Sequence, residues 1–274
     1  MRIGIFAKTF PGHDPAKVLR AVRDARYEST QFNLSSADLD AMPASVPDEA
    51  IATIANAARD NLVRIVALSG TYNMIHPDPA VRAHGLERLG VVIAAAARLG
   101  VGMVTLCTGT RDPDDQWRAH PDNRTPQAWR DLRVEMDHAA ELAERHGVEL
   151  GIEPEQANVV MSAADALRLF QEVGSPRLRV VLDPANLFEH ASPAKAARIV
   201  ADAVDHLAGH VGMAHAKDRD AQGRFCTAGT GIVDFPAFLG RLRATGFDGP
   251  VIAHGLSAAE APGVAALLAR IIAA

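Results

Sequence analysis

The chain has 274 residues, 48% apolar and 22% charged, with 28 basic against 33 acidic side chains and a formal net charge of −5. That balance supports a large folded core, excludes a disordered or low-complexity chain, and gives nucleic-acid binding no electrostatic footing. Only two cysteines, Cys107 and Cys226, are present, which excludes a disulfide framework and leads us to expect a reducing, cytoplasmic setting.

The opening MRIGIFAKTF reads as a first strand rather than a signal peptide. Strand and helix patterns then alternate eight times. The sequence predicts strand Arg2–Phe6 with helix Pro15–Asp24, then strand Ser29–Asn33 with helix Asp48–Asp60. Next come strand Arg64–Leu68 with helix Pro79–Leu99, and strand Met103–Leu106 with helix Ala128–Arg145. The second half predicts strand Glu149–Ile152 with helix Ala163–Glu172, and strand Leu178–Leu182 with helix Pro193–Leu207. Strand Val211–Ala214 with helix Phe235–Arg243, and strand Pro250–Ala253 with helix Ala261–Ile272, complete the series. The strands are apolar on both faces, which suits a parallel sheet covered by helices. Ser162 is placed to cap a helix, and Gly147, Gly174 and Gly246 stand where a left-handed residue ends one.

The longest apolar stretch, Val91 to Leu106, is broken by Arg98, Gly100 and Gly102 and is too short to span a bilayer, so no membrane partner is expected. Eight βα units in a chain of this length predict a single-domain (β/α)8 TIM barrel over residues 1–274. The competing open, doubly wound sheet more often carries a Gly-rich phosphate turn after its first strand, where this chain has AKTFPGHDP. The longest loop, Thr108 to Gln127, carries Trp117, His120 and three prolines. Loops of that length in a barrel usually form a lid or a pocket wall.

Four polar residues fall at strand ends: Glu153 in VELGIE, Asp183 in LRVVLD, His215 in HVGMAH and His254 in PVIAH. Singly, each has an ordinary reading, since an Asp after a strand caps a turn and a lone His packs or faces solvent. Together they recur once per βα unit, at intervals of 30, 32 and 39 residues. Neighbouring strands lie about 4.8 Å apart, so such residues can converge on one ion at the mouth of a barrel. Two carboxylates and two imidazoles suit Mn²⁺, Zn²⁺, Co²⁺ or Fe²⁺ better than Ca²⁺.

The segments GIEPE, VVLDPANL, MAHAKD and AGTGIVDFP, with RIGIFAKTF and GTYNMIHPD, resemble the xylose-isomerase-like TIM barrels, the sugar phosphate isomerase/epimerase superfamily. The resemblance runs over essentially the whole chain. It implies one divalent metal ion (Mn²⁺, Zn²⁺, Co²⁺ or Mg²⁺) held by Glu153, Asp183 and His215. His254 occupies the fourth position, where relatives usually carry Glu. It further implies a sugar, sugar-phosphate or polyol isomerase or epimerase, in which carboxylates of the fifth and eighth strands move a proton α to a carbonyl through an enediolate. Here His254 stands as a metal ligand or as the second acid/base, because an imidazole titrates near neutrality. Glu155 is either a replacement carboxylate or a solvent-facing loop residue. Lys217 either neutralises an enediolate or pairs with Asp218. Asn186 either meets a substrate hydroxyl or caps a helix, and Asn33, Tyr72, Asn73, His76 and Trp117 are expected pocket-wall residues.

Two other activities share these residues. One is a sugar-acid lyase or dehydratase, which begins with the same proton abstraction; the other is a sugar-binding barrel that lost catalysis with its eighth-strand Glu. The endonuclease branch of the superfamily expects a His on the fourth strand and an Asp-x-His beyond the seventh. VTLCTGT and DRDAQGRFCTAG lack both, and no nucleic-acid partner is expected. Pairing of copies through rim helices into a homo-oligomer is left open.

Overall fold

The computed structural model describes residues 1–274. Its strands are β1 (Arg2–Phe6), β2 (Ser29–Phe32), β3 (Arg64–Ser69), β4 (Met103–Leu106), β5 (Glu149–Ile152), β6 (Leu178–Leu182), β7 (Val211–Ala216), β8 (Asp218–Arg219), β9 (Phe225–Cys226) and β10 (Pro250–Ala253). Its α-helices are α1 (Pro15–Asp24), α2 (Asp48–Asp60), α3 (Pro79–Arg98), α4 (Pro126–His146), α5 (Ala163–Val173), α6 (Pro193–His206), α7 (Phe235–Ala244) and α8 (Ala261–Ala273).

Local chemistry sets the helix starts. Asp14, Asp78, Thr125 and Ser192 each stand before the proline that opens α1, α3, α4 or α6. In each case the side-chain oxygen accepts a first-turn N–H, and the proline occupies a position whose own N–H has no helical partner. Thr125 therefore starts α4 at Pro126, two residues before the predicted boundary. Ser162 caps α5 by accepting from Asp165 N, as expected. Gly147, Gly174 and Gly246 all have left-handed φ, between 69° and 87°.

β1 to β7 and β10 pair in parallel and close in the order β1-β10-β7-β6-β5-β4-β3-β2, the (β/α)8 barrel expected from the sequence. β7 runs two residues past its predicted end, so His215 lies within the ladder, level with Ile252. The antiparallel hairpin of β8 and β9 was not expected. No helix is long and apolar enough to cross a membrane. Both cysteines are free.

A cluster of 65 buried side chains forms the main apolar core. A separate cluster of Ala67, Met103, Val181, Met213 and Ile252 belongs to the barrel interior. Gly4 and Gly151 make room beside it. A Cβ on Gly151 would stand 2.7 Å from Val181, and one on Gly4 2.5 Å from Ile252. Side chains two residues further along a strand share its face. That step leads from this tier to Phe6, Ser69, Thr105, Glu153, Asp183, His215 and His254, and from the buried Ser29 to Gln31. The site is this upper tier.

Candidate metal centre and its pocket

β5, β6 and β7 deliver Glu153, Asp183 and His215 with one donor atom from each within 4.8 Å of the others. Asp183 is fully buried, and its carboxylate serves two purposes. One oxygen accepts from Ala185 N at 2.9 Å, capping the short turn Pro184–Asn186. The other, Oδ2, is buried with no hydrogen-bond partner. His215 Nδ1 is likewise buried and unpartnered, 3.3 Å from Glu153 Oε1 and 3.7 Å from Asp183 Oδ2. Buried polar atoms are rarely left unpaired. An unpaired carboxylate oxygen and an unpaired imidazole nitrogen, converging with the Glu153 carboxylate, fit a divalent cation.

Electrostatics agree with that donor set. Burial pushes the Glu153 carboxyl up, but the neighbouring His215 charge reverses this and holds it below its usual range. Burial also opposes ionisation of Asp183, and Lys217 and His215 together hold it well below the usual carboxylate range. Burial alone would push His215 down; Glu153 and Asp183 outweigh it and lift the ring to about 9. The two acids thus stay anionic and hold positive charge between them.

His254 lies outside the 4.8 Å cluster. Its ring stacks on His215, with centroids 5.4 Å apart and planes at 12°, and it leans on Phe6 at 5.2 Å. Burial, then the charges of His215 and Lys217, push it down to about 4, so it is a neutral imidazole at pH 7 with an unpartnered Nδ1. Glu155 lines the same cavity, where burial and then the Glu153 charge push it up to about 7. Lys217 does not pair with Asp218. Its Nζ lies 3.4 Å from Asp183 Oδ2 and 3.9 Å from the centre of the Phe225 ring. Asn186 Nδ2 donates to Glu153 Oε1 at 2.7 Å, and its Oδ1 is buried without a partner.

The cavity above these residues has a volume of about 440 Å³. Of the expected wall residues, Asn33, Trp117 and Asn186 line it. Tyr72, Asn73 and His76 do not, and the expectation for these three is corrected. They line a different cavity, because the chain after β3 turns outward from the barrel mouth. Tyr72 donates to Glu135 on α4 at 3.0 Å, and its ring fills the space a side chain at Gly85 would need. Asn73 accepts from Thr110 N and donates to Asp112 O, while His76 meets the Pro113 carbonyl. His120 caps the short turn Pro121–Arg124 and is not a pocket residue.

Sequence reasoning missed Gln31, Ser69 and Thr105 on β2 to β4. Gln31 Oε1 lies 2.9 Å from His215 Nε2, and Gln31 Nε2 donates to Ser69 Oγ and Thr105 Oγ1, each at 3.1 Å. It also missed Phe6, Lys8 and Phe225 on the pocket wall. The alternation of inward positions along each strand was the signal that would have found Phe6, Gln31, Ser69 and Thr105.

Fold and site together define a (β/α)8 barrel with a cation-type donor cluster at the C-terminal ends of its strands. The pattern of the xylose isomerase-like TIM barrels matches residues 19–269, and the chain belongs to that family. A ketose 3-epimerase from Arthrobacter globiformis is 24% identical over 268 residues, covering 94% of this chain and 84% of the relative. An L-ribulose 3-epimerase structure superposes with a TM-score of 0.77 at 23% identity, covering 99% of this chain and 93% of that one. The 3-keto-D-glucoside 4-epimerase of E. coli superposes at 0.76 with 18% identity, covering 100% of both chains.

Proposed function

We propose that the protein is a divalent-metal-dependent isomerase or epimerase of a small sugar, sugar phosphate or polyol. The observation that carries this reading is the pair of buried, unpartnered donors, Asp183 Oδ2 and His215 Nδ1, facing Glu153. The ketose 3-epimerase relative supports the choice of sugar chemistry. Glu153, Asp183 and His215 would hold the ion, whose charge makes a C–H beside a carbonyl easier to ionise.

The other groups divide the remaining work. Glu153, kept anionic and held by Asn186, takes the proton from carbon. Glu155, lifted to about 7 and so still partly protonated near neutral pH, stands on the cavity wall to return one, and His254 lines the same wall. Lys217 sets a positive charge beside the oxygen on which negative charge develops. Asn33 and the free Oδ1 of Asn186 bind hydroxyls, and Trp117 walls the mouth. Since His254 is neutral at pH 7, it works as a base or a hydrogen-bonding group and not as a fixed charge.

Two measurements on the purified protein test the reading together. The expected results are one divalent ion per chain and exchange of a substrate C–H proton with D₂O. Glu153→Gln should lower that exchange by about 10²–10⁴-fold. Protein without ion uptake and without exchange on ketoses or their phosphates overturns the proposal.

A further inference from the structure

We infer that Gln31 is a positioning residue of the metal centre, fixing His215 in the tautomer whose Nδ1 lone pair faces Glu153 and Asp183. The inference rests on the metal-dependent reading above and deepens it.

An imidazole can present a lone pair at Nδ1 only if its single proton sits on Nε2. Something must accept that proton's hydrogen bond, and His215 is 2% exposed, so water is not at hand. The acceptor is Gln31 Oε1, at 2.9 Å. A glutamine can turn its amide over, so its own orientation must also be fixed. In this orientation Ser69 Oγ and Thr105 Oγ1 accept from Gln31 Nε2, and Oε1 is left to His215. Gln31 is itself 6% exposed, Ser69 and Thr105 3% each.

Gln31 comes from β2 and His215 from β7, which β1 and β10 separate in the barrel order. The link therefore crosses the barrel interior. A register shift between Thr30 and Gln31, in the pairing of β2 with β3, falls at this residue. Such irregularities re-aim side chains near functional sites. A neutral amide also suits the position. It orients the ring without adding a third carboxylate to the two already facing Nδ1. The reverse amide orientation would put the His215 proton on Nδ1, where it would point at the carboxylates and exclude a cation.

The test uses full-length protein, Zn²⁺ as the probe and NMR of ¹⁵N-labelled histidine. In the zinc-loaded wild type, His215 should show a solvent-protected Nε2–H and a metal-shifted Nδ1. Gln31→Leu should lose the protected proton and bind Zn²⁺ about 10–100-fold more weakly. Gln31→Glu, which restores an acceptor, should recover the affinity to within a few-fold. A merely structural role would move the melting temperature of both variants and leave the ring spectrum unchanged. Folded Gln31→Leu protein with wild-type affinity overturns the inference, as does a proton found on His215 Nδ1 of the zinc-loaded wild type. Should Gln31→Leu fail to fold, the wild-type spectrum and Gln31→Glu decide alone. Wild-type protein that takes up no zinc overturns this inference and the metal reading together; zinc uptake that is insensitive to Gln31→Leu overturns only this one.

Discussion

Asp218 is fully buried and accepts from four backbone N–H groups, those of Arg219, Gly229, Gly231 and Val233, at 2.8–3.0 Å. Its neighbour in sequence, Lys217, points into the pocket, so the two adjacent charges serve different purposes. A Cβ on Gly231 would stand 2.3 Å from Asp218 Oδ1, which is why glycine is needed there. Removing a carboxylate that satisfies several buried donors costs about 1–3 kcal/mol for each donor left bare, less whatever the loop recovers by relaxing. Asp218→Ala is expected to lose about 3–5 kcal/mol in urea unfolding, and a loss under about 1 kcal/mol would contradict this role. The same contrast governs what could be read from sequence. Glu153, Asp183 and His215 were legible because each closes an apolar run. Gln31, Ser69 and Thr105 were not, because a polar residue in STQF, IVALS or MVTL looks like an ordinary strand residue until the barrel closes. Tyr72, Asn73 and His76 misled because contacts distant in sequence hold them elsewhere: Tyr72 on Glu135 of α4, Asn73 on the Thr110 amide and His76 on the Pro113 carbonyl.

The loops are built elements with their own anchors. In the segment after β4, the successive amides of Gly109, Thr110 and Arg111 are each taken by an asparagine oxygen, from Asn158, Asn73 and Asn123. The start of that segment is therefore anchored backbone, and Trp117 further along it stands on the cavity wall. A second tie joins the two loops around His254. Glu260, at the start of α8, accepts from Ser257 N, Ser257 Oγ and Thr227 Oγ1. The Ser257 and Thr227 hydroxyls and the Ser257 amide hold its carboxyl down to about 2. A depressed acid stabilises the fold above its unfolded pKa, and that contribution fades as the pH falls towards the folded value. The difference in melting temperature between wild type and Glu260→Gln should thus be full at pH 6 and shrink from about pH 4.5 towards 2. A difference that stays constant across that range would rule the tie out. Helices were legible at this scale because caps and prolines are local signals. The β8–β9 hairpin was not, since two-residue strands carry no period and Asp218 holds the segment through contacts up to 15 residues away.

For the whole molecule, a metal held as proposed by β5, β6 and β7 would be a cross-link present only in the folded state. A ligand at 100 times its dissociation constant adds about 2.7 kcal/mol, or roughly 5–10 °C in a chain of this size. EDTA should lower the melting temperature of the metal-loaded protein by that amount and leave Glu153→Gln unmoved. An EDTA-insensitive wild type would show that no such cross-link exists. The eightfold alternation that revealed the barrel follows from short buried strands separated by capped helices. Which inward residues meet could not be read, because that depends on the stagger of closure. The apolar disc of Ala67, Met103, Val181, Met213 and Ile252 has one more effect: the chamber is a well with a sealed floor. Traffic of solvent and hydrons passes through the rim alone. In the proposed reaction, a hydron lifted from carbon would wait in a vessel with a single opening, where the side chains that received it stand nearer than bulk water to hand it back.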